Sequence, residues 1–192
     1  MWWRDHRAAA RAARFAAVRL GVIVGAASLL AGCFEPLYSS HPSVGGESIK
    51  DKLAEVQIAP IPTRQGTPQA RLAVGVHNAL QFDLNGGAGA NAPTHRLDLT
   101  VRQGGFTVLV DPSSGRPTAQ IAGIQVSYQL VEIATGKIVL KDSTFANVDY
   151  DSPGQEQRFA IQRAQRDAED RAVQTAADTI RNRLASYFVA GT

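Results

Sequence analysis

The stretch Arg96-Leu97-Asp98-Leu99-Thr100-Val101-Arg102 alternates apolar and polar side chains without a break. Successive side chains of a β-strand point to opposite faces, so a period of two predicts a half-buried strand. Leu97, Leu99 and Val101 belong to its buried face, and Arg96, Asp98, Thr100 and Arg102 to a polar outer face. Gly104-Gly105 interrupts the alternation and Phe106, Val108 and Val110 resume it, which places a bulge or bend at the glycine pair. Asp111-Pro112-Ser113-Ser114-Gly115 has the composition of a turn. The return strand carries Ile124, Val126, Tyr128 and Leu130 against Gln125, Ser127 and Gln129. Ile121 has the wrong parity for that face, so a second bulge is expected at Gly123. Thr135-Gly136 turns the chain into a strand from Lys137 to about Tyr150. Continuous hairpin arms would reach ~50 Å at ~3.4 Å per residue, so the tip should project beyond the core or curl strongly.

Upstream, Val56, Ile58 and Ile61 form a short strand that Pro60 and Pro62 end. Thr67-Pro68 starts a helix, with threonine as N-cap and proline at the first helical position. Leu72, Val76, Leu80 and Leu84 share one face of it, and Asn85-Gly86-Gly87 stops it. Ala88 to Pro93 reads as a small-residue loop. Downstream, Ser152-Pro153-Gly154-Gln155 has the pattern of a capping box. Ile161, Ala164, Ala168, Ala172, Ala176, Ile180, Leu184 and Tyr187 then step by three or four, predicting one helix of about 35 residues with a narrow apolar stripe. Alanine on that stripe lets the helix lie close to a sheet. Arg163, Asp167 and Arg171 at i, i+4 spacing read as a solvated, salt-bridged face. The order β-α-β-β-β-α predicts a single α+β domain, a roughly four-stranded sheet with two helices packed on one face.

The first 32 residues have the parts of a secretory signal: five arginines, an uncharged apolar run from Leu20 to Ala31, and small residues before Cys33. The run is shorter than the ~20 residues that span a bilayer. Leu30-Ala31-Gly32-Cys33 resembles the lipobox of bacterial lipoproteins, in which the thiol is diacylated, the signal is cut before the cysteine and the new amino terminus is acylated. The competing reading is an inert, buried cysteine behind an ordinary signal. Cys33 is the single cysteine of the chain, so no intrachain disulfide can form. Residues 33–52 are then an acylated terminus and a Ser-, Pro-, Gly- and His-rich tether, and residues 53–192 the periplasmic domain.

Removing residues 1–32 changes the charge. The chain has 20 Lys+Arg and 17 Asp+Glu; without the five arginines and one aspartate of the signal, 15 bases face 16 acids. Overall charge therefore does not point to nucleic acid.

The lipobox, the following Phe34-Glu35-Pro36-Leu37-Tyr38 and the element order together resemble the LPS-assembly lipoprotein family, LptE. Members commonly show Cys-Gly-Phe-x-Pro-Leu-Tyr after the lipobox; here Phe34 follows Cys33 directly. The resemblance implies an outer-membrane lipoprotein on the periplasmic face. It would plug the LPS-assembly β-barrel LptD, help that barrel assemble, and bind lipopolysaccharide during transport to the outer leaflet. Phe34 rather than aspartate after the cysteine looks, within such lipoproteins, like release to the outer membrane.

Arg96 and Arg102 on the polar face of one strand, with Lys137 and Lys141 on one face of another, are candidate partners for the phosphates of lipopolysaccharide. The bland reading is four solvated basic residues. Ser113 and Ser114, at the hairpin tip, are candidate contacts with the barrel. No catalytic site, metal or cofactor is expected. His41, His77 and His95 have no metal-type spacing, and no Gly-x-Ser-x-Gly elbow or Walker loop occurs. Gly86-Gly87-Ala88-Gly89 follows a helix and precedes a strand, the wrong context for a phosphate loop. The alternatives are an auxiliary lipoprotein of a lipid-transport ABC system and, more distantly, a lipid-anchored envelope hydrolase.

Overall fold

The computed structural model describes residues 48–90, 92–104, 108–110, 112–113, 115, 117–151 and 158–190. Cys33 and the Ser152-Pro153-Gly154-Gln155 pattern lie outside them. A short helix comes first, α1 (Ile49–Ala54), capped by Ser48, whose Oγ accepts from the Asp51 amide at 3.2 Å. This helix takes in residues 49–52, which the sequence assigns to the tether, and it buries Leu53 in the core. One and a half turns are too few to show a helical period.

Strand β1 (Val56–Ile58) leads into α2 (Pro68–Asn85). Thr67 caps α2 by accepting the Ala70 amide at 3.2 Å, and Pro68 sits where a missing N–H costs nothing. Gly86, at φ 63°, ends it: the amides of Gly86 and Gly87 donate to the carbonyls of Phe82 and Gln81 at 2.9 and 3.1 Å. This Schellman geometry needs the left-handed backbone that glycine adopts without strain. Between its caps α2 buries Leu72, Ala73, Val76, Leu80 and Leu84.

The remaining strands are β2 (His95–Gln103), β3 (Val108–Val110), β4 (Pro117–Glu132) and β5 (Ile138–Asp151). β1 pairs parallel with β2; β2, β3 and β5 pair antiparallel with β4. β2 and β3 lie along the same side of β4, one after the other, so the five strands make a layer four strands wide. α3 (Arg158–Ala190) runs back over it for 33 residues, ~50 Å at ~1.5 Å per residue.

Both long helices cover one face of the sheet, as the order of elements predicts. The core joins Leu97, Leu99 and Val101 of β2 to their register partners Leu130, Tyr128 and Val126 of β4, beneath Leu80 of α2 and Ile180 and Leu184 of α3. The alanine stripe is real: Ala168, Ala172 and Ala176 are fully buried. Gly75 of α2 faces Val173 of α3, and a Cβ there would meet Val173 Cγ1 at 3.4 Å. Across the same helix pair, Arg71 meets the buried carboxylate of Glu169 and, at 3.0 Å, Asp170.

The expected bulge at Gly123 does not form. β4 and β5 stay in register from Ala119↔Asp151 to Leu130↔Leu140, and the irregularity lies at Leu130/Val131. Ala122 continues the inward row of Ile124, Val126 and Tyr128, so Ile121 simply faces the other way. Alanine carries too little hydrophobic signal to show that parity in sequence. Gly123 instead lets strands approach: the Gly104 amide donates to its carbonyl at 2.6 Å. Beyond this point the long hairpin stands on a small separate cluster of Ala122, Tyr150 and Ala168, where Tyr150 Oη donates to Gln120 Oε1 at 2.7 Å.

Candidate functional site

One face of the sheet is packed under helices, and the other is polar. The register sets its rows. Asp98, Gln129 and Lys141 lie side by side across β2, β4 and β5; so do Thr100, Ser127 and Ser143, and then Arg102, Gln125 and Phe145. Pro60 and Pro62, which follow β1, wall an open groove of about 420 Å³ lined also by Asp98, Thr100, Ser127, Gln129 and Lys141.

Three of the four basic candidates share this face, in different states. Arg96 is held by Asp98, Nε to Oδ1 at 2.9 Å and Nη2 to Oδ2 at 3.1 Å, and that pairing raises its already high pKa. Arg102 and Lys141 form no ion pair among the described residues. Their register partners on β4, Gln125 and Gln129, are four residues apart, and the two cations stand about 16 Å from each other at ordinary strand spacings. Lys137 lies outside β5, in the turn that joins it to β4, where its carbonyl accepts the Glu132 amide at 2.9 Å. The patch is therefore an Arg102–Lys141 pair flanked by an internally neutralised Arg96–Asp98, with Lys137 at the sheet's end. Asp98, between Arg96 and Lys141, weakens the attraction of this surface for an anion.

Two features escaped the sequence reading. Phe145 is 75% exposed, because its odd register position puts it on the open face while Leu140, Ala146 and Tyr150 face inward. Its parity carried that signal. The groove wall formed by Pro60 and Pro62 is a product of the parallel β1–β2 pairing, which no local pattern reveals.

At the hairpin tip Pro112, Ser113 and Gly115 are exposed, and Ser114 lies outside the described residues. Among the described residues that line the groove there is no histidine. His95 sits elsewhere, with its ring edge-on to Phe188 at 5.3 Å and Nδ1 2.8 Å from Thr94 Oγ1. Burial lowers its pKa, against the opposing pull of Glu132 and Glu55. Tyr128 is buried beneath the sheet, its pKa pushed up to about 12 by burial and then by Asp142. Such a phenol stays protonated and cannot serve as a base near neutral pH. No group of acidic, histidine or cysteine side chains able to hold a metal occurs among the described residues. Among them, no helix is long and apolar enough to cross a membrane.

Helices back one face of the sheet and leave the other polar and open. The family model LptE, Lipopolysaccharide-assembly, matches residues 53–184, and the chain belongs to this family. No curated protein matches the chain. The fold is similar to that of a candidate lipoprotein from Caulobacter crescentus CB15, with 22% identity, a TM-score of 0.57, and 74% of this chain and 96% of that one covered. Rare lipoprotein B from Shewanella oneidensis aligns at 17% identity and TM-score 0.49, over 70% of this chain and 96% of that one. A minor lipoprotein from Acinetobacter baumannii aligns at 13% identity and TM-score 0.49, over 69% and 92%.

Proposed function

We propose that the chain is an outer-membrane lipoprotein, held to the periplasmic face by an acylated Cys33, that works with the barrel LptD as plug and assembly factor. Membership of the lipopolysaccharide-assembly family carries this reading. The role is one of binding, without catalysis. Lipopolysaccharide meets the open sheet face, where Arg102 and Lys141 have no acidic partner among the described residues and can pair with phosphate. Arg96 and Lys137 contribute less, one because Asp98 already occupies it and the other because it stands at the end of the sheet. The tip, with Ser113 and Ser114, enters the barrel lumen, which is polar inside. An acyl anchor suits a domain whose described helices include no membrane span, and several chains hold such a protein stably.

The test is binding of lipopolysaccharide by a variant with Arg96, Arg102, Lys137 and Lys141 reversed to glutamate. Weakened binding with an unchanged circular dichroism spectrum is expected, and Arg102 and Lys141 alone should account for most of the loss. Unchanged binding by the quadruple variant would leave only four solvated side chains.

A further inference from the structure

Phe145 stands on the open face of the sheet, 75% exposed and outside both clusters of the core. A single exposed apolar side chain carries little by itself. Its placement carries more. Addition of another strand does not account for it, because backbone groups of β5 on either side of the ring are already engaged. Asp142 Oδ1 accepts the Ser143 amide at 2.7 Å, and Arg171 Nη2 donates to the Asp149 carbonyl at 3.5 Å. The ring therefore serves the face of the sheet rather than its edge.

The register surrounds Phe145 with polar neighbours on that face: Ser143 and Asn147 along β5, Gln125 directly across on β4, and Ser127 on the diagonal. All four are exposed. Gly123, on the other diagonal, adds no side chain. Beyond Gln125 in the same row comes Arg102 of β2, two strand spacings or ~10 Å from Phe145 between Cα atoms. One aromatic ring among amides and hydroxyls is a poor bed for an acyl chain, which needs a continuous apolar lining. It suits a pyranose. The C–H face of such a sugar packs on an aromatic ring, and its hydroxyls, each a donor and an acceptor, match side-chain amides and hydroxyls. A phosphate on the sugar reaches Arg102, which forms no ion pair among the described residues. On the reading that the open face meets lipopolysaccharide, we infer that Phe145 is the stacking platform for a phosphorylated sugar, and that Arg102, on the far side of Gln125, holds its phosphate. The face thus reads the phosphosaccharide of the ligand and leaves the acyl chains untouched.

Binding by the full chain, purified in detergent, tests the platform. The probe is deacylated lipopolysaccharide, which keeps the sugars and phosphates and lacks the acyl chains. The unaltered chain should bind it, and phosphatase treatment of the probe should remove most of that binding. Phe145→Ala and Phe145→Leu should each weaken binding about tenfold, the scale of one lost aromatic contact, whereas Phe145→Trp should keep it. Phe82→Ala, at an aromatic 69% exposed on α2, should change nothing. Phe145 lies outside both core clusters, so its replacement leaves the fold intact. Undiminished binding by Phe145→Ala or Phe145→Leu would overturn the platform. So would an unaltered chain that binds intact lipopolysaccharide but not the deacylated probe, since acyl chains would then be what is read. The two readings fail separately. Intact lipopolysaccharide bound normally by the Arg102→Glu, Lys141→Glu variant removes the open face as a site, and the platform with it. Loss of binding there, with no effect of Phe145→Ala, removes the platform alone.

Discussion

Tyr128 gives a pH dependence whose size follows from its surroundings. It is 4% exposed, packed between Leu99 of β2 and the helices, and its pKa rises from 10 to about 12. Burial is the larger cause; Asp142 adds to it and Arg183 subtracts. The folded state therefore holds the proton where the unfolded chain releases it. A raised folded pKa gives stability that is complete below pH 10 and is lost as pH climbs toward 12. A shift of about two units makes roughly 3 kcal/mol, lost across that pH window. Tyr128→Phe removes this titration and keeps the ring. Urea unfolding of the protein at steps from pH 8 to pH 12 should show wild type falling away from Tyr128→Phe between pH 10 and 12. The other titrating groups cancel in that difference. Parallel curves across the window would refute the burial argument and with it the packing of Tyr128 under α3.

The strand approach at Gly104 and Gly123 predicts an asymmetry: a Cβ at Gly104 would meet the Gly123 backbone at 2.9 Å, whereas one at Gly123 would meet the movable Asn147 Oδ1 at 2.5 Å. Gly104→Ala should cost about 1–3 kcal/mol in urea unfolding, and Gly123→Ala clearly less. Arg71→Ala leaves Glu169, 4% exposed, with Gln165 at 2.9 Å as its remaining polar partner among the described residues, and should cost about 1–3 kcal/mol. Asp170→Ala, which removes a partner from an exposed pair, should cost under ~1 kcal/mol in the same assay. Replacing residues 111–116 with an Asn-Gly turn should barely move thermal unfolding while reducing recovery of the barrel complex, because Pro112, Ser113 and Gly115 are exposed.

Strong local signals made most of the fold legible. The Thr67-Pro68 start and the Gly86 stop each act within one turn of chain, so α2 could be bounded from sequence. Unbroken alternation exposed β2, and repeated alanines gave α3 its stripe even though alanine is weakly hydrophobic. What stayed hidden depended on partners distant in sequence. The parallel pairing of β1 with β2 spans the whole of α2, and β3 is only three residues long. Ala122 could not advertise its face, so Gly123 looked like a bulge. The site was legible as a set of cations on alternating positions, but not as a balance of charge. Asp98 stands two residues from Arg96 on the same face, so their pairing was open to sequence reasoning, whereas the alignment of Lys141 with Gln129 and Asp98 required the register.

The central claim, a lipid-anchored partner of an outer-membrane barrel, is tested most directly by purifying the acylated chain from detergent-solubilised outer membranes. The account predicts a mature chain beginning at triacylated Cys33, copurifying in near-equal amount with a large β-barrel that photocrosslinkers at Ser113 and Ser114 also capture. A free Cys33 thiol, or an inner-membrane permease in place of the barrel, would contradict it.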